Sequence, residues 1–79
     1  MNLFAVFQEG VYRHTCVGIF IDYPTAVAAA DDAAASDCDD YHSYDVFMFE
    51  LNKPNCEEEA RYSVRKSAAL AKRTAQVAP

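Results

Sequence analysis

The 79-residue chain reads as one α+β domain with elements in the order β-β-α-β-α. Three observations predict this. Apolar residues fall at strand spacing in "NLFAVFQ", "YRHTCVGIFI" and "YDVFMFELN". An alanine-rich stretch, "DYPTAVAAADDAAAS", separates the second from the third. The last segment passes from acidic to basic, as the dipole of a helix favours. The expected architecture is a three-stranded antiparallel sheet carrying the Ala-rich helix. Residues 1–54 form a compact ββαβ domain, and residues 55–79 add a C-terminal helix with a basic end and weak packing.

In the first strand Leu3, Phe4, Val6 and Phe7 supply β-prone bulk. Glu9-Gly10 is a turn candidate, since glycine tolerates positive φ. The second strand should place Thr15, Val17, Ile19 and Ile21 on one face and His14, Cys16, Gly18 and Phe20 on the other. Two strands this close in sequence should form an antiparallel hairpin. Asp22 is suited to cap the helix, Pro24 fits its first turn, and Val27, Ala30 and Ala34 share a face. Small side chains let such a helix lie close on a sheet. In the third strand Phe47, Phe49 and Leu51 alternate with Tyr44, Val46 and Met48. Apolar residues on both faces predict a central strand, or one covered on both sides. Asn55 with Glu58 three residues on resembles a capping box for the last helix, whose apolar face (Ala60, Val64, Ala68, Ala71, Ala75) is poor.

Composition narrows the function. No apolar run nears the ~18 residues of a bilayer span. The start "MNLFAVFQEG" lacks the basic region of a secretory signal, which predicts a cytoplasmic protein, in a bacterial host on the resemblance below. Cys16, Cys38 and Cys56 are odd in number and widely spaced, so reduced thiols are expected, with Cys16 as a small core residue. The net charge of −5 is divided unevenly: residues 1–52 carry −8 and residues 53–79 carry +3. An acidic body disfavours direct nucleic-acid binding and attracts basic surfaces. The basic tail is read as a solvated helix face.

The segment "DDAAASDCDDYHSYD", residues 31–45, concentrates six aspartates with Cys38 and His42. Calcium loops need a glycine at the sharp turn and a closing glutamate, and neither is present. Zinc would need a third and fourth ligand beyond Cys38 and His42, and no paired motif supplies them. Aspartates in a polar loop lack the burial that tunes a catalytic carboxylate. A Cys38–His42 nucleophile pair would need an orienting group and a pocket. No catalytic residue, metal or cofactor is therefore assigned, and a non-enzymatic role is expected. The remaining reading is a docking surface: Asp31, Asp32, Asp37, Asp39, Asp40 and Asp45 as an acidic ridge, with Tyr41 and Tyr44 as aromatic contacts.

Across residues 4–54, "VFQEGVYRHTCVGIF", "TAVAAA" and "DDYHSYDVFMFELNKP" resemble small acidic proteins encoded by phages and prophages. The resemblance implies a phage setting and carries no activity. By size and charge the chain is also similar to anti-CRISPR proteins, several of which occupy the DNA-binding surface of a CRISPR surveillance complex; this is an analogy of class. The expectation is a phage-type inhibitor whose acidic surface occupies the basic groove of a host nucleic-acid-binding machine. Two alternatives stand beside it: a phage accessory or adaptor acting by homo- or hetero-oligomerisation, and a small metal-responsive regulator using Cys38 and His42.

Overall fold

The computed structural model describes residues 1–10, 14–38, 40–53 and 59–77, with backbone alone for 74–77. Six elements follow in order: β1 (Asn2–Glu9), β2 (His14–Phe20), α1 (Tyr23–Ala35), β3 (Ser43–Glu50), β4 (Tyr62–Arg65) and α2 (Lys66–Val77). The sheet is antiparallel throughout, in the order β2-β1-β3-β4. The α+β class stands. The element order is ββα twice over, with the first strand of each half at the sheet centre.

The fourth strand corrects the expected three. Tyr62 and Val64 lie two residues apart, so in a strand both face the core; in a helix they would point nearly opposite ways. Val64 is buried and pairs with Tyr44, and Tyr62 pairs with Val46. The Arg61 N–H extends the ladder by donating to the Val46 carbonyl at 2.8 Å. The last helix therefore starts at Lys66, and the Asn55–Glu58 capping box lies outside the described residues, as does most of the first hairpin turn.

Asp22 caps α1 as its position suggested. Its side chain accepts from the Thr25 N–H at 2.9 Å and the Thr25 hydroxyl at 2.7 Å. These bonds favour the ionised carboxyl and hold its pKa below the usual value. Ala26, Ala30 and Ala34 are fully buried at the sheet, against Val6, Tyr44, Val46 and Val64. Phe4 and Tyr23 close one end with an edge-to-face ring contact at 5.7 Å. At Gly18, ring atoms of Phe20 stand 3.0 Å from where a Cβ would lie, so the absence of a side chain lets that ring fold back. After β3 the chain reverses through Asn52, at φ 67°, a conformation that asparagine accepts better than most residues.

Among the described side chains of the second helix only Ala69 is buried, in keeping with the weak packing its composition suggested. Ala69 is buried against α1, whereas Ala68 and Ala71, expected on the packed face, are exposed. The shift follows from the later helix start, which rotates the packed face relative to a helix begun at 55. Both helices lie on one side of the sheet, and the shortest dimension of the molecule is 17 Å. Only one helical layer is present among the described residues. Among the described residues, the side formed by Leu3, Ala5 and Phe7 of β1, Ile19 of β2, and Phe47 and Phe49 of β3 carries no second layer. β3 is thus central, as expected, but covered on one face.

A register shift in the β1–β2 pairing breaks the alternation expected of β2. Gly18 pairs with Val6 and Cys16 with Phe7, which leaves Val17 unopposed. Cys16 consequently shares the uncovered side with Phe7 and Ile19. It is exposed, which corrects its assignment to the core.

The alanine contact makes a prediction. Ala30→Leu adds apolar bulk where no room exists, so it should destabilise by about 1–3 kcal/mol despite its greater hydrophobicity. Urea unfolding with an unchanged slope would measure this; an increase in stability would show that α1 does not lie close on the sheet.

Candidate functional site

Five of the six aspartates between residues 31 and 45 are described, and each is held by another element. Asp31, on α1, accepts from the Tyr62 hydroxyl at 2.5 Å through one oxygen and from Lys72 Nζ at 2.7 Å through the other. The Lys72 ammonium also sits 5.5 Å from the Tyr62 ring centroid. Bonding to Asp31 raises the Lys72 pKa; burial first, and then Asp31, raises that of Tyr62. Asp32 pairs with Arg73 at 3.1 Å, an exposed contact of the kind worth little in water. Asp40 accepts from the Ser67 N–H at 2.9 Å, so it caps α2 from a distant point in sequence. Asp45 accepts from the Ser63 hydroxyl at 2.6 Å across β3 and β4.

Asp37 is the most enclosed of them, its side chain only 5% exposed. One carboxylate oxygen receives the Tyr44 hydroxyl at 2.6 Å and the Gln8 amide at 3.3 Å, with His42 Nδ1 at 3.1 Å. The Gln8 amide also donates to the Tyr44 oxygen at 2.9 Å, and Lys66 Nζ donates to the Asp37 carbonyl at 2.5 Å. Asp37, through its carboxylate and its main-chain carbonyl, thus ties β1, β3, α2 and the loop after α1 together. Burial, reinforced by the Asp37 carboxylate, pushes the Tyr44 hydroxyl up to about 12.

The acidic ridge therefore has a different form from the one its spacing suggested. Tyr44 is buried and Asp37 is withdrawn from the surface. Asp31 and Asp32 are answered by cations of α2. Asp40 is exposed, and the adjacent Tyr41 is 80% exposed. Asp39 lies outside the described residues. Gln8, Tyr62, Lys72 and Arg73, which complete these contacts, had no signal in local sequence, because their partners lie 29 to 41 residues away.

Two concavities flank this framework. A groove of about 440 Å³ between α1 and α2 is lined by Tyr23, Val27, Ala28, Asp31, Lys72 and Arg73 among others. Its charges pair with one another. On the uncovered side of the sheet a dip of about 230 Å³ is lined by Leu3, Ala5, Phe7, Ile19 and Phe49, apolar side chains alone. The Phe7 and Phe47 rings meet there edge to face, 5.9 Å apart. Ile19 is 62% exposed, and Met1, Ile21 and Leu51 are exposed as well. The strand pattern announced these apolar residues; it gave no sign that they would face away from both helices.

No group of three or more His, Cys, Asp or Glu residues that could hold a metal ion occurs among the described residues. No helix there is long and apolar enough to cross a membrane.

The Asp37 cluster predicts an alkaline transition. Tyr44 has its pKa raised on folding, so its contribution is full below its unfolded value near 10 and is lost as pH rises through about 12. The loss is on the order of 2 kcal/mol. Tyr44→Phe should cost about 1–3 kcal/mol at neutral pH, by leaving Asp37 short of a donor, and should flatten the stability profile between those pH values. Chemical unfolding at stepped pH tests this; an equal alkaline loss in both proteins would remove Tyr44 as the source.

Comparison with known proteins gives no match: no protein-family model, no curated protein and no solved structure is significantly similar to this chain.

Proposed function

We propose that this chain is a non-enzymatic protein-binding module that docks through the uncovered face of its sheet. The observation that carries the reading is the placement of both helices on one side, which among the described residues leaves Leu3, Phe7, Ile19, Phe47 and Phe49 on the other without a covering layer. A contiguous apolar surface of this kind, rare on monomers beyond a few hundred Å², marks interaction sites. This is the adaptor class of function, with the contact surface on the sheet face.

The inhibitor reading remains the second proposal: a phage-type, anti-CRISPR-like protein whose acidic surface enters a basic nucleic-acid-binding groove of a host protein. It is favoured by the net charge of −5 and by the exposed pair Asp40 and Tyr41. Among the described residues its most exposed docking groups are Asp32, Asp40 and Tyr41, since Asp37 and Tyr44 serve the interior.

Capture from a host lysate with tagged wild type and two variant sets separates the readings. Sheet-face docking predicts that Ile19→Asp and Phe47→Asp each abolish capture of the wild-type partner, while the double variant Asp32→Asn, Tyr41→Ala retains it. The acidic reading predicts the reverse, with capture weakened by added salt. Retention of the partner by both sheet-face variants, each shown to be folded, would end the first proposal.

A further inference from the structure

We infer that the uncovered sheet face is occupied by a second copy of this chain, so that two four-stranded sheets pack face to face as a symmetric dimer. The inference rests on the docking reading above and names its partner. Three features point to self-association.

The first is the poverty of the core. Among the described residues the only large side chains that are fully enclosed are Val6 and Val46, and most of the other buried residues are alanines. Chains of this size commonly need a staple, and oligomerisation is one. Three of the five phenylalanines, Phe7, Phe47 and Phe49, sit on the side away from the helices, against Phe4 and Phe20 on the core side.

The second is area. β1 and β3 are eight residues long. At ~3.3 Å per residue and ~4.8 Å between strands, these two with the seven residues of β2 and the four of β4 present a flat face of roughly 430 Å². Side chains in relief, with Met1, Ile21 and Leu51 at the margin, bring the accessible area towards the ~800 Å² per partner of a stable interface.

The third is shape and charge. A twisted sheet packs best on another sheet of the same hand, about 30° from alignment, and a second copy supplies that twist and width by construction. The apolar part of the face, Leu3 to Phe7 with Ile19, Phe47 and Phe49, contains no charged residue that would select a charged partner. Charged side chains gather at one end, where Glu9 meets His14 and Asp45 meets Ser63, with Arg65 beside them. Two bodies of like net charge repel, so this dimer tightens as salt is added, opposite to an acid-to-base contact.

Light scattering and sedimentation equilibrium on the purified full chain test the inference. The expected result is a mass twice the 8.8 kDa of one chain at micromolar concentration, with association strengthened by salt. Ile19→Asp, on an exposed position of the edge strand, should retain the fold by circular dichroism and raise the dissociation constant at least ~30-fold; Phe47→Asp should do the same at the centre. Asp32→Asn should leave the mass unchanged. A monomeric wild type overturns the inference, as does a dimer that persists in folded Ile19→Asp and Phe47→Asp. These outcomes are separable from failure of the docking reading. A monomer that captures a different protein through Ile19 and Phe47 removes the second copy and keeps the docking face. Capture that survives both substitutions removes the docking face itself.

Discussion

The close contact of α1 with the sheet is the interaction on which the rest of the structure depends. Three alanines, one per turn, let the helix axis approach Val6, Val46 and Val64 with no bulky side chain between. The contact buries little area per residue, so it must be continuous, and it spans all four strands. It also decides the side on which the remaining mass collects. The second helix follows the first onto the same face because β4 delivers it there, and Ala69 meets α1 at the same small-residue spacing.

The aspartates then act as the joint between the two ββα halves. Asp31 and Asp32 on α1 reach Lys72 and Arg73 on α2; Asp40 caps α2; Asp37 gathers donors from Gln8, His42 and Tyr44. The exposed pairs add little on their own. The enclosed Asp37 matters more, because an anion withdrawn from water is tolerated only when several donors surround it. Among the described residues no buried side-chain nitrogen or oxygen lacks a partner, so the network is complete where it is deepest. The charge asymmetry along the chain, an acidic body and a basic tail, is here an internal complementarity, since much of the tail's charge is spent on the body's acids.

The consequence for function is a reversal of which surface stands out. Charge density drew attention to residues 31–45, yet Tyr44 and Asp37 are interior and two more aspartates are paired with cations. The apolar positions of β1 and β3 looked like ordinary core in sequence. Alternation tells which residues share a face; it does not tell whether the chain has enough helix to cover both faces. Among the described residues, α1 at 13 residues and α2 at 12 both lie on one side.

Local rules by themselves determined the α+β class, the three long strands, the hairpin partners, the cap at Asp22 and the alanine face of α1, since each depends on residues a few positions apart. Tertiary structure decided the fourth strand, which exists because Tyr62 and Val64 find Val46 and Tyr44 to pair with. It also decided the burial of Asp37, the exposure of Cys16 through an irregular β1–β2 register, and the bare side of the sheet. Each of these depends on groups far apart in the chain, and a carboxylate's role is set by the donors that surround it, which its neighbours in sequence do not name.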